Sequence, residues 1–192
     1  MFVKGPAGTS KSLLSVYCGL QLLNNKTISD IMYLRSAVES SESRLGFLPG
    51  SADEKLRFYN LPFLDKLDEL VADATSERLE KEGRISMYPV NFARGMNWKS
   101  KCIILDEAQN STKKEITTVL TRLGEGTRCF ILADPMQTDL HRKELQGGFE
   151  AVLKTFSNEE SQSWGIETFE FTEEDVMCSA LVKYIVKKLR QG

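Results

Sequence analysis

Residues Gly5-Pro6-Ala7-Gly8-Thr9-Ser10-Lys11-Ser12 place two glycines, a lysine and several hydroxyls in eight positions, just after the apolar pair Phe2-Val3. A chain of phosphates needs backbone N–H donors converging at the positive end of a helix, and this segment can supply them. Gly5 and Gly8 let the backbone curl without side-chain obstruction. Lys11 offers a full positive charge to the β- and γ-phosphates, and Ser12 offers a hydroxyl to Mg²⁺. The spacing is that of the phosphate loop G-x-x-x-x-G-K-[ST] except at one position, where Ser10 replaces the last glycine. Ser10 keeps its N–H, and at a negative φ, as at a helix start, its side chain costs little. Read alone, the segment is also an ordinary glycine-rich turn before a helix.

A second segment, Cys102-Ile103-Ile104-Leu105-Asp106-Glu107, is an apolar run ending in two acids. A strand buried on both faces has this pattern. It would deliver Asp106 to the C-terminal edge of a sheet, where the carboxylate can hold Mg²⁺, with Glu107 beside it to orient and deprotonate an attacking water. This is the layout of a Walker B strand, and with the phosphate loop it points to nucleotide binding. A third segment, Leu132-Ala133-Asp134-Pro135-Met136-Gln137, also follows an apolar run. Gln137 at that edge could sense the γ-phosphate or the water; the segment reads equally as a plain Asp-Pro turn.

These segments need a scaffold, and the rest of the chain describes one. Leu13, Leu14, Tyr17, Leu20 and Leu23 recur at helical spacing over Lys11 to Asn24. Ile31 to Leu34 and Ile85 to Val90 read as strands, and Asp53 to Glu82 reads as helical on both sides of Pro62. Thr112 to Glu115 is a capping-box pattern opening a helix that ends near Gly124. Cys129 to Leu132 is another buried strand, Gly148 to Phe156 a short helix, and Ile166 to Phe171 a half-buried strand. Thr172 to Asp175 caps a last helix carrying Val176, Ala180, Leu181, Tyr184, Ile185 and Leu189 on one face. The alternation predicts an α/β fold, a mostly parallel sheet with helices on both faces.

Composition sets the outer bounds. The 192 residues suit one domain, and 41% hydrophobic with 27% charged residues excludes a disordered or collagen-like chain. A net charge of −2 provides no overall field for nucleic acid, so any such contact needs a local patch. Four cysteines without a C-x-x-C pair, and a single histidine (His141), argue against structural zinc. Cys102 and Cys129 read as small core residues, and a reducing cytosol is the expected compartment. No apolar run is long enough for a membrane helix. The lysines and arginine at 183, 187, 188 and 190 read as a solvated helix face. Phe47, Tyr88, Phe92 and Trp98 read as core packing rather than a base-stacking platform.

Over nearly its whole length the chain resembles the PhoH-like ATPases, the phosphate-starvation-inducible family, in the short form found in phages. The resemblance rests on Gly5 to Ser12, Arg35-Ser-Ala-Val-Glu39, Leu45-Gly-Phe-Leu-Pro-Gly50 and Phe92-Ala-Arg94-Gly95. It continues with Ile103-Ile-Leu-Asp-Glu-Ala-Gln-Asn110, Leu120-Thr-Arg-Leu-Gly124 and Asp134-Pro-Met-Gln137. It implies a RecA-like P-loop fold, ATP and Mg²⁺ as ligands, ATP hydrolysis, and a role on RNA. By matching positions, Lys11, Ser12, Asp106, Glu107 and Gln137 take the roles argued above. Arg35, Arg94 and Arg122 fall in family motifs, as contacts to nucleic acid or phosphate or as surface arginines in salt bridges.

Three positions depart from the family pattern: Ser10, Ala133 before Asp134, and Cys178, where the pattern resembles an arginine. A transition-state arginine is worth about 10³–10⁵ in rate, so the last departure bears on hydrolysis more than on binding. Arg122 from a neighbouring subunit could restore it. Two functions follow. One is an ATPase acting on RNA or single-stranded DNA, which with one such domain requires a homo-oligomer, plausibly a ring. The other is a nucleotide-binding switch or scaffold with little hydrolysis. A kinase is disfavoured, because Glu107 beside Asp106 suits water activation. Only Met1 to Lys4 remain for the first strand, against about 5–6 residues for an ordinary one. The chain therefore reads as a catalytic core short at its N-terminal end, and base selectivity is expected to be weak, with ATP and GTP within about tenfold.

Overall fold

A computed structural model describes residues 1–36, 52–138 and 147–177, together with Tyr184. Six strands form one sheet: β1 (Phe2–Lys4), β2 (Asp30–Arg35), β3 (Ile85–Pro89), β4 (Lys101–Asp106), β5 (Arg128–Ala133) and β6 (Thr168–Glu170). Their order is β3-β2-β4-β5-β1-β6, and every pairing is parallel. The helices are α1 (Lys11–Asn24), α2 (Ala52–Leu70), α3 (Asp73–Lys81), α4 (Lys113–Leu120), α5 (Gly148–Phe156) and α6 (Glu159–Ser163). This is an α/β fold of the RecA-like P-loop type.

Period-two alternation builds two cores from one sheet. Phe2, Met32, Leu34, Ile103, Leu105 and Ile131 point to one face, where α4 and α5 add Ile116, Val119, Phe149 and Val152. Val3, Ile31, Tyr33, Cys102, Ile104 and Leu132 point to the other, where α1 and α2 add Val16, Leu23, Phe63 and Leu67. Strands covered on both faces explain the continuous apolar runs of β2 and β4. Gly19 of α1 sits over β2 and β4, where an added Cβ would lie 3.1 Å from the Ile31 side chain.

The capping box at Thr112 forms: Thr112 Oγ1 accepts from Glu115 N at 3.3 Å, and Glu115 Oε2 accepts from Thr112 N at 2.8 Å. A second closes at Thr172, on a 3₁₀ turn over Glu173–Asp175; the expected last helix lies outside the described residues apart from Tyr184.

Two expectations change, and two details are added. Helix α2 runs through Pro62, so the chain is helical on both sides of it as the sequence suggests, and a break falls at Val71-Ala72. Strand β6 is exposed along all three residues, because it forms the outer edge of the sheet beside β1. Phe92 is 53% exposed and stacks on Tyr88, so it is not core, whereas Trp98 is buried. Helix α6 was not marked by the apolar pattern; Asn158 starts it by accepting from Ser161 N.

Candidate nucleotide site

Strand β1 ends at Lys4, and residues 5–10 curl over the C-terminal edge of the sheet before α1 begins at Lys11. The curl is pinned from inside by Thr9, whose buried hydroxyl donates to Pro6 O at 2.9 Å. It is also pinned from outside. Phe171 packs so closely on Gly5 that an added Cβ would lie 2.6 Å from the Phe171 Cβ. Met177 N donates to Gly8 O at 2.8 Å.

Ser10 has φ 57° and ψ 24°, in the left-handed region. The low-cost case of a negative φ is therefore not the one the loop adopts. The loop demands the conformation for which glycine is the default, and an L side chain there costs about 1–2 kcal/mol. Lys11 Nζ donates to Gly5 O at 2.8 Å and Pro6 O at 2.7 Å, so its charge lies along the mouth of the loop.

Strand β5 lies between β1 and β4. With strands about 4.8 Å apart, Asp106 at the end of β4 is roughly 10 Å across the sheet from the loop, room for a phosphate chain. Both Asp106 oxygens are held: Tyr33 OH donates to Oδ2 at 2.8 Å, and Glu107 N donates to Oδ1 at 2.9 Å. Burial and the neighbouring Asp106 carboxylate push the Tyr33 phenol well above its ordinary value, so it remains a neutral donor.

Glu107 also adopts a left-handed backbone, φ 53° and ψ 40°. Its carboxyl is raised above the ordinary glutamate value, first by burial and then by the Asp106 charge; a hydrogen bond from Gln109 and the charges of Arg35 and Lys11 oppose this. Gln109 Nε2 donates to Glu107 Oε2 at 2.5 Å. Gln109 Oε1 accepts from Asp134 N at 3.0 Å. Asp134 in turn accepts from Ala7 N of the loop at 2.8 Å and from Met136 N at 3.1 Å.

These segments enclose a cavity of about 370 Å³. Ala7, Gly8, Ser10, Lys11 and Ser12 line one wall, Asp106, Glu107 and Gln109 another, and Ala133, Asp134 and Gln137 the β5 side. Lys66 and Glu69 reach it from α2, and Met177 from the segment after β6. Four carboxylates thus face two ammonium groups around it. A polyanion entering such a site needs a cation with it. Ser12 and Asp106 are hard oxygen donors of the kind Mg²⁺ takes, with phosphate and water completing the shell. Among the described residues, no group of three or more His, Cys, Asp and Glu could hold a metal ion, so Mg²⁺ would depend on the phosphates for its remaining ligands.

The cavity therefore gathers the residues of all three segments expected from sequence, including Gln137. Gly5, Pro6 and Thr9 support the loop from behind without lining the cavity. Arg35 ends β2 in register with Asp106, and its charge reaches Glu107. Arg94 is exposed after the 3₁₀ turn that follows β3. Arg122 is not brought to this cavity. Helix α4 runs back along β4 and leaves Arg122 at the N-terminal edge of the sheet, where its carbonyl accepts from Trp98 N and its buried Nε has no hydrogen-bond partner. Cys178, His141, Glu39 and the Leu45–Gly50 motif lie outside the described residues. Sequence reasoning missed Tyr33, Lys66, Glu69, Gln109 and the side chain of Asp134. Only Gln109 and Asp134 carried a signal, as polar residues just past buried strands.

A parallel sheet with a phosphate loop after β1 and an Asp-Glu pair two strands away defines a P-loop nucleotide-binding protein. The chain belongs to the PhoH-like protein family, whose family model matches residues 1–190. It is 36% identical over 187 residues to a PhoH-like protein of Bacillus subtilis, covering 97% of this chain and 57% of that one. It is 35% identical over 186 residues to a PhoH-like protein of Mycobacterium tuberculosis, covering 97% and 51%. Protein PhoH2 of Bacillus subtilis is 31% identical over 160 residues, covering 81% and 36%. The chain spans about half the length of the PhoH-like relatives it matches. No helix among the described residues is long and apolar enough to cross a membrane.

Proposed function

We propose that this chain is an ATPase that binds ATP with Mg²⁺ and hydrolyses it, residues 1–192 forming one catalytic core domain. The observation that carries the reading is the convergence of Lys11, Ser12, Asp106 and Glu107 on one cavity. Loop N–H groups and Lys11 would hold the phosphates. Ser12 and Asp106 would hold Mg²⁺, which when bound supplies charge neutralisation. Glu107 takes the proton of a water whose oxygen attacks the γ-phosphorus as the bond to the ADP oxygen breaks, releasing ADP and phosphate. A carboxyl raised by burial suits that proton transfer near neutral pH. Gln137, at the β5 edge of the cavity, orients the water or the γ-phosphate.

The family resemblance supports action on or with RNA or single-stranded DNA as a homo-oligomer. Arg122, at the opposite sheet edge from the cavity, could serve a nucleotide only in a head-to-tail contact between copies, which closes as a ring or runs on as a filament. The second reading, a nucleotide-binding switch with little hydrolysis, is favoured by the strained Ser10.

The test is ATP turnover by the purified chain with and without single-stranded RNA or DNA, with mass in solution. Lys11→Ala should abolish nucleotide binding, and Glu107→Gln should abolish turnover while binding persists. Tight ATP binding with turnover at background, unchanged by Glu107→Gln, would establish the switch instead. A monomer whose turnover nucleic acid does not stimulate would remove the nucleic-acid role.

A further inference from the structure

We propose that Gln109 is a positioning residue: it ties the Glu107 carboxylate to the end of β5, the same point that holds the phosphate loop. The proposal rests on the ATPase reading and extends it to a residue that contacts no phosphate in that scheme. Gln109 is 3% exposed, and both ends of its amide are used. Its Nε2 donates to Glu107 Oε2 at 2.5 Å, and its Oε1 accepts from Asp134 N at 3.0 Å. The carboxylate of Asp134 takes the N–H of Ala7 at 2.8 Å. One residue at the end of β5 thus anchors the loop through its side chain and the base through its backbone.

Glu107 needs such an anchor. Its backbone is left-handed, a conformation that persists only where its surroundings hold it. Glu107 N is held by Asp106 Oδ1, but the carboxylate stands beside that of Asp106, which repels it. The Gln109 amide donates a hydrogen bond that opposes that repulsion, and it fixes where the carboxylate points. A carboxylate that wanders by an ångström loses its line to the water, so the cost should fall on turnover and leave binding alone.

Two variants separate positioning from packing. Gln109→Leu keeps the volume and removes both links. Gln109→Glu keeps the acceptor for Asp134 N and replaces the donor by a second carboxylate facing Glu107. Turnover would be measured on the full chain, nucleotide affinity with a fluorescent ATP analogue, and folding by circular dichroism. The expected result is a loss of tenfold or more in kcat for both variants, with Kd for Gln109→Leu within threefold of the parent. Gln109→Glu with parental kcat would overturn the proposal, because the link to Glu107 would then be idle. An equal loss in kcat and affinity for Gln109→Leu would overturn it too, as a collapse of the site. A parent chain without turnover would remove the ATPase reading and this proposal together, and is told apart because the parent itself fails.

Discussion

Tyr33 on β2 donates its hydroxyl to Asp106 at the end of β4, 2.8 Å away and buried. The phenol lies against Phe63 of α2, with ring centroids 4.6 Å apart, so a helix packed on the sheet sets the direction of the donor. The Asp106 carboxylate is thus aimed by the core beneath it before any ligand arrives. Replacing Tyr33 by Phe keeps the ring and removes a hydrogen bond to a charged acceptor. The expected cost is about 1.5–3 kcal/mol of folding stability. Urea denaturation of both proteins checks it; an unchanged midpoint would show that water replaces the phenol.

Ser10→Gly should stabilise the chain. The position is left-handed, and relief of about 1–2 kcal/mol of strain exceeds the roughly 0.5–1 kcal/mol that glycine loses in chain entropy. Ser10→Val should do the reverse, since a β-branched residue fits the left-handed region worse. Denaturation midpoints ordered Gly, Ser, Val from high to low are the expected outcome; a glycine variant below the parent would contradict the strain assignment.

The raised Glu107 carboxyl has a sign. Folding favours its protonated form, so this group's contribution to stability is full below the ordinary glutamate value and is lost as pH rises through the raised one. Glu107→Gln carries no such loss. In Mg²⁺-free buffer the variant should therefore gain on the parent between acidic and neutral pH. Denaturation midpoints at several pH values read this directly. A difference that does not change with pH would show that the carboxyl titrates normally.

Thiol reactivity should be graded. Burial pushes the Cys102 thiol up to about 12 and the Cys129 thiol to about 11, whereas Cys18 is exposed on α1. The thiolate is the reactive form, so at mildly alkaline pH Cys18 should be alkylated well before the other two. Peptide mapping after brief iodoacetamide treatment tests this; early label on Cys102 would mean that α1 lifts from the sheet.

The motifs that lie along one stretch of chain were legible in the sequence. The phosphate loop, β4 with its two acids, and α1 all follow from local pattern. Features that depend on which strands become neighbours were not. Nothing near Gln109 says that β5 will end beside it and offer Asp134 N. Arg122 is instructive in the other direction. The capping box at Thr112 and the glycine at 124 imply a helix returning along β4, which alone carries Arg122 away from Asp106. The left-handed turn at Ser10 was marked by the glycine expected there, yet a serine permits either backbone until the loop is closed. The helical pattern on both sides of Pro62 was legible, but the break at Val71-Ala72 was not.

The short stretch from Phe171 to Met177 presses on Gly5 at one end of the phosphate loop and holds Gly8 at its middle. The loop therefore hangs from a piece of chain more than 160 positions away in sequence. Displacing that piece would remove the packing on Gly5 and the donor to Gly8 together, so the shape of the loop depends on a segment outside the motif itself.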